Sequence, residues 1–113
     1  MSDCVFCRIA SGDLPTELVA ENEGAVAFND LQPGAPVHVL VIPRRHVADV
    51  AALSALPDDL AAVLQLAAAV AEQTDVAATG WRLVFNTGAH GGQSVFHAHA
   101  HVVGGRQLSP NAG

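Results

Sequence analysis

The segment His97-Ala98-His99-Ala100-His101 carries an imidazole at every second position. Successive side chains of a β-strand face opposite ways, so this spelling puts three imidazoles on one face and two alanines on the other. Neighbouring imidazoles would sit roughly 6.6 Å apart. The alanine face leaves room for a helix to pack closely. Half of the chain's six histidines lie here, and imidazole is the side chain best suited to nucleophilic, acid–base and metal chemistry near neutral pH.

The rest of the chain supplies a sheet and a helix around this segment. Residues 51 to 78 are alanine-rich and read as helix, with Leu60, Val63, Leu64 and Val70 at i, i+3, i+4 spacing. Pro57, Asp58 and Asp59 suit a first helical turn, and Gly80 a stop. Strand candidates flank it: Leu18 to Glu21, Val26 to Asp30, Val37 to Ile42, Trp81 to Phe85 and His97 to Val103. Trp81, Leu83 and Phe85 share one face of theirs. Leu31 to Pro36 holds Pro33, Gly34 and Pro36 and reads as a loop. Ser2 to Ala10 is a short helix or turn. Strands, a long helix and further strands argue an α+β fold with a largely antiparallel sheet.

A chain of 113 residues suits one domain, residues 1–113, and the glycine- and proline-bearing stretch 104–113 reads as a mobile tail. The chain has no lysine and a net charge of −6. That makes a poor binder of nucleic-acid polymers, which needs a basic face, but it leaves room for a single nucleotide held by neutral donors and imidazoles. Leu60 to Ala71, interrupted by Gln65, is too short to span a bilayer. Met1-Ser2-Asp3-Cys4 lacks the basic and apolar regions of a secretory leader. The expectation is a cytoplasmic protein without membrane partners, whose Cys4 and Cys7 are reduced and point to a metal or redox site more than to a disulfide.

The histidine row admits three readings: solvated or satisfied imidazoles, a metal site, or one row serving one substrate. Two histidines at i, i+2 can share an ion, but three on a straight strand span roughly 13 Å and cannot all reach it. The preceding loop, Asn86-Thr87-Gly88-Ala89-His90-Gly91-Gly92-Gln93-Ser94, favours the third. Its glycines permit close backbone approach, its N–H groups can cradle an anion, and Asn86, Gln93 and Ser94 add neutral donors. A donor-rich loop beside three imidazoles points to phosphate. Cys4-Val5-Phe6-Cys7 supplies two zinc ligands where four are needed, and no second cysteine pair exists, so histidines would have to complete a Cys2His2 site. Two inert thiols and a redox pair are the alternatives, the latter without a thioredoxin-like βαβ context.

His97-Ala98-His99-Ala100-His101-Val102-Val103 resembles the His-x-His-x-His-x-x pattern of the histidine triad family. The resemblance runs over almost the whole chain, through Phe28-Asn29-Asp30, His38-Val39-Leu40-Val41-Ile42-Pro43, His46, Asn86, Gly91-Gly92-Gln93-Ser94-Val95-Phe96 and Gly104-Gly105-Arg106. Length and Gly-Gly after the triad are similar to the Hint branch, the nucleotide-binding histidine triad proteins. The uridylyltransferase branch would carry Gln in place of His101, and the Fhit branch usually lacks the Gly-Gly-Arg ending.

This resemblance implies a five-stranded antiparallel sheet with one long and one short helix, joined across a homodimer into ten strands. It implies a hydrolase of purine nucleoside 5'-phosphoramidates, and of aminoacyl-adenylates, that releases the nucleoside monophosphate through a covalent nucleotidyl-histidine. His99 would be the nucleophile, His101 would bind phosphoryl oxygens and help proton transfer, His38 would support proton traffic, and Ser94 would donate to the leaving group. Asn86, Gly92 and Gln93 would complete the phosphate cradle. Asp30, otherwise a turn residue, would accept both ribose hydroxyls. Val5, Phe6, Ile9, Phe28 and Leu31, otherwise plain core, would clamp the purine, with Asn29 at a variable position of that clamp. Structural Zn2+, one per chain, would be held by Cys4, Cys7, His46 and His97. The tail Gln107 to Gly113 lacks the Trp-Pro-Pro ending of animal relatives, and His90 reads as a solvated loop residue. Dinucleoside polyphosphate hydrolysis and a regulatory nucleotide-binding module with incidental turnover are the competing readings.

Overall fold

The computed structural model describes residues 3–110. Ser2, where the expected N-terminal helix or turn begins, and the last three residues of the tail lie outside them. The elements run α1 (Val5–Ser11), β1 (Leu18–Glu21), β2 (Ala25–Asn29), β3 (Val37–Pro43), α2 (Val50–Leu53), α3 (Pro57–Gln73), β4 (Trp81–Phe85) and β5 (Ala100–Gly104). The strands form one sheet in the order β1-β2-β3-β5-β4, with antiparallel pairing throughout. The α+β architecture with a five-stranded antiparallel sheet is as the sequence implies.

The sheet has two apolar faces. On one, Ala25, Ala27, Val39, Val41, Ala98, Ala100 and Val102 pack with Leu53 and the α3 residues Val63, Leu66, Ala67 and Val70. The alanines of the histidine segment are where α3 comes close, as the alternation requires. On the other face Val26, Phe28, Leu40 and Ile42 pack against Phe6 of α1. His38 and His101 belong to this second face: β3 and β5 pair Leu40 with His101 and His38 with Val103, which makes His38 the diagonal neighbour of His101.

The expected helix over 51–78 is divided. Proline at 57 disfavours the helical conformation at the residue before it, and Leu56 sits at φ −119°, ψ 81°. The chain therefore makes one turn of α2, breaks, and restarts with Pro57 at the head of α3 and Asp58 and Asp59 in its first turn. The helix stops at Gln73, ahead of Gly80, at a turn in which Asp75 adopts φ 68°. Its buried face is Val63, Leu66, Ala67, Val70 and Ala71; Leu64, expected inside, is 41% exposed.

The histidine segment is also less regular than an uninterrupted strand. Regular pairing begins at Ala100, because the Ala98 N–H is taken by the Val47 carbonyl at 2.8 Å, outside the sheet. The alternation of faces nonetheless persists from His97 to Val102.

Candidate active site and metal cluster

Hydrogen bonds determine which ring nitrogen carries a proton at each imidazole. His99 Nδ1 lies 2.8 Å from the His97 carbonyl, and a carbonyl can only accept, so Nδ1–H donates. The Nε2 of neutral His99 is left with its lone pair. At His38 the Gly34 N–H donates to Nδ1 at 2.9 Å, so the proton of neutral His38 is on Nε2. That nitrogen lies 2.9 Å from His101 Nδ1 and 3.4 Å from Asp30 Oδ2. His101 Nδ1 is thus an acceptor, and its proton is on Nε2. Burial first, then the nearby His99 and His38, push His101 down to about 4 from 6.5, against the pull of Asp30. At neutral pH His101 is an uncharged donor beside a lone-pair nitrogen, the two rings 5.1 Å apart between centroids.

Asp30, His38 and His101 are close enough together to share a metal ion. The Gly34 N–H argues against it, since it keeps a proton on the His38 nitrogen that would have to ligate. A hydrogen-bonded relay satisfies the same atoms.

The glycine-rich loop packs beside the triad. Gly91 N–H donates to the Gly88 carbonyl and Gly92 N–H to that of Ala89. A Cβ on Gly91 would meet the Thr87 carbonyl oxygen at 2.3 Å, and Gly92 has φ +86°, so both positions require glycine. Asn86 Nδ2 donates to the Gly91 carbonyl at 2.9 Å. Gln93 is buried and fully engaged: Oε1 accepts from Gly88 N–H, and Nε2 donates to the Ala48 and Val95 carbonyls. Its main-chain N–H is bonded to Gly88 O as well. Gln93, expected in the phosphate cradle, has its polar groups engaged with the loop itself, as a buried amide requires. Ser94 is exposed, and its hydroxyl makes no hydrogen bond among the described residues. His90 stands exposed on the loop.

An apolar groove of about 550 Å³ lies alongside, lined by Val5, Phe6, Ile9, Phe28, Asn29, Asp30 and Leu31, with Leu14, Pro15, Thr16 and Glu17 on its far wall. The last four have no signature in the sequence beyond a turn-like proline, and reading along the chain misses them. Val5 is 41% and Leu31 97% exposed, so these two are not plain core. Large apolar side chains exposed beside an apolar groove make it a candidate ligand surface.

Below the groove floor, Cys4, Cys7, His46 and His97 bring four ligand atoms within 4.8 Å of one another. His97 Nδ1 is 3.4 Å from Cys4 Sγ and 3.5 Å from Cys7 Sγ. His46 Nδ1 is 3.3 Å from Cys7 Sγ and 3.2 Å from His97 Nδ1. A tetrahedral zinc site would place S···N pairs roughly 3.6 Å apart and N···N pairs roughly 3.3 Å apart, given metal–ligand distances of about 2.3 and 2.05 Å. The four residues fit such an ion. His97 Nε2–H donates to the Pro43 carbonyl at 2.9 Å, which turns the Nδ1 lone pair toward the thiols, as a second shell does for a metal ligand. Burial holds the His97 ring below its ordinary pKa, which favours the neutral, ligating form.

Comparisons with known proteins agree on one family. Residues 11–108 match the HIT domain model. The chain is 38% identical over 109 residues to a purine nucleoside phosphoramidase of Escherichia coli (strain K12), covering 96% of this chain and 92% of that protein. A HIT family hydrolase from Clostridium thermocellum superposes with a TM-score of 0.92 at 39% identity, over 99% of this chain and 98% of that one. A HIT family hydrolase from Legionella pneumophila Philadelphia 1 does so with the same score and identity, over 98% and 100%. Since both sequence and fold match from end to end, and the triad meets its relay on the matched sheet, the chain belongs to the HIT domain family, the histidine triad proteins.

Proposed function

We propose that this protein hydrolyses purine nucleoside 5'-phosphoramidates through a covalent nucleotidyl-His99. The observation that carries the reading is the complementary pair of nitrogens: a lone pair on His99 Nε2 and a proton on His101 Nε2. The former attacks the α-phosphorus, forming an N–P bond as the phosphoramidate P–N bond breaks. The amine departs with a proton from solvent at the exposed mouth, where the Ser94 hydroxyl hydrogen-bonds it. Water then attacks the same phosphorus and loses its proton to solvent, and the nucleoside monophosphate leaves with the electron pair restored to His99. His101 donates to the phosphoryl oxygens as charge builds on them, the contribution that matters most in phosphoryl transfer. His38 keeps the His101 proton aimed that way. Asn86 and Gly92 shape the phosphate cradle, and Gln93 braces it. Asp30 accepts the ribose hydroxyls, and the groove formed by Phe6, Ile9, Phe28, Asn29 and Leu31 takes the base.

The similarity to a phosphoramidase at 38% identity supports this substrate class over dinucleoside polyphosphates. The test is a panel of adenosine and guanosine phosphoramidates and diadenosine polyphosphates, run on wild type and His99→Ala. Wild type should prefer phosphoramidates, and His99→Ala should bind AMP without turnover. Turnover by His99→Ala removes the nucleophile. Faster polyphosphate cleavage favours the alternative hydrolase, and AMP binding without any turnover favours a regulatory module.

The Cys4–Cys7–His46–His97 cluster we read as a structural zinc site, which stabilises the N-terminal turn when filled. Freshly purified protein should contain about one zinc per chain, lost in Cys4→Ser, and metal-free native protein would refute this. The chain acts as one domain over 1–113, reduced in the cytoplasm, with nucleotides and a second copy of itself as partners. The open edge of β4 supports a homodimer, since a bare edge strand favours pairing. Among the described residues no helix is long and apolar enough to cross a membrane.

A further inference from the structure

His97 belongs to two sites at once. Its ring contributes Nδ1 to the metal cluster and is tethered to Pro43 at the end of β3. Its main-chain carbonyl accepts the Nδ1–H of His99, the bond that leaves the lone pair on the attacking nitrogen. A shift of the ring toward or away from the thiols moves the peptide that orients the nucleophile.

Phe6 makes a second link. It lies between Cys4 and Cys7, and its ring stands edge-on to His97 at 6.0 Å, to His99 at 5.2 Å and to Phe28 at 5.5 Å. Phe6 is therefore at once a wall of the base groove and a neighbour of the nucleophile. The helix that carries it has seven residues, too few to persist without tertiary support. Its N-cap is the Cys4 sulfur, which accepts the Cys7 N–H at 3.4 Å. The Cys4 thiol that would hold a metal thus also caps the start of α1, and with it Val5, Phe6 and Ile9 of the groove.

We infer that the metal cluster positions the nucleophile and the base groove through His97 and Phe6, so that metal and nucleotide each tighten the binding of the other. The inference rests on the metal reading above. Linkage requires the coupling to be reciprocal: the factor by which metal raises nucleotide affinity is the factor by which nucleotide raises metal affinity. Ordering a seven-residue helix and one ring contact is expected to give a factor of about ten, within the usual range for coupled sites.

The experiment uses the full chain. Zinc stoichiometry and affinity are measured against a chromophoric chelator with and without saturating AMP, and AMP affinity is measured by calorimetry on zinc-loaded and chelator-stripped protein. Stripping should weaken AMP binding about tenfold, zinc should restore it, and AMP should tighten zinc by the same factor. Phe6→Leu should still bind one zinc but bring the two AMP affinities close to each other. A chain that binds no zinc refutes the metal reading. A chain that binds one zinc yet has the same AMP affinity loaded and stripped overturns the coupling alone. If the stripped chain loses its helical circular dichroism, the loaded form decides. With cobalt(II) in the cluster, AMP should shift the d–d bands, and an unshifted spectrum overturns the proposal.

Discussion

Replacing His101 with glutamine removes a titrating ring and keeps a hydrogen-bonding side chain of similar reach on β5. In the folded chain the ring is held at about 4, mainly by loss of water and then by His99 and His38; in the unfolded chain it returns to about 6.5. Between these values the unfolded state binds a proton that the folded state refuses, so stability rises with pH across the window. The contribution is therefore fully present above about pH 6.5, falls as the solution is acidified, and levels off below about pH 4. At about 1.4 kcal/mol per pH unit the loss approaches about 3 kcal/mol, a ceiling because the ring keeps some contact with water. Urea unfolding of wild type and His101→Gln at pH 7.5, 6.5, 5.5 and 4.5 measures it. Acid also protonates the imidazoles and any thiolate of the Cys4–Cys7–His46–His97 cluster, but both proteins share that change, and the difference between them isolates the ring. Discounted for the solvent that still screens this half-buried ring, wild type should lose ground against the variant by about 1–2 kcal/mol as pH falls from 7.5 to 4.5. Parallel pH profiles would refute the view that His101 is held neutral in the fold.

Three further outcomes follow from the geometry. Leu66→Ala should cost about 2–5 kcal/mol of unfolding free energy, because Leu66 is 3% exposed. Leu64→Ala on the outer face should cost less than about 1 kcal/mol in the same urea titration, and the reverse order would place the helix face wrongly. Gly91→Ala forces its new methyl against the Thr87 carbonyl, so the loop must shift and phosphoramidate kcat/KM should drop at least about tenfold in protein that circular dichroism shows to be folded; unchanged turnover would show that the loop conformation is dispensable. Asp30→Asn removes a charged acceptor worth about 1.5 kcal/mol and should weaken AMP about tenfold by calorimetry, with deoxyadenosine monophosphate losing less.

Much of the site was legible along the chain because its signals are local and covalent. Period-two spelling puts His97, His99 and His101 on one side and Ala98 and Ala100 on the other wherever the backbone is extended, whether or not a ladder bond forms. The α3 face was less legible. Leu64 and Leu66 are both apolar, and only the position of the sheet, set partly by the break at Pro57, decides which is buried. Gln93 illustrates a different limit. Glutamine beside glycines reads as a donor for a ligand, but burial made the loop itself its partner.

The sequence by itself determined the sheet-and-helix class, the imidazole row, the donor-rich loop and the cysteine pair, since each depends on residue type and spacing over a few positions. Tertiary structure alone decided the proton positions, through Gly34, Pro43 and the His97 carbonyl, and it built the far wall of the groove from Leu14 to Glu17. It also joined Cys4 to His97 across 93 positions of sequence. Such contacts depend on how the sheet closes and what it buries, and a hydrogen bond between distant residues leaves no periodic trace in the chain that makes it.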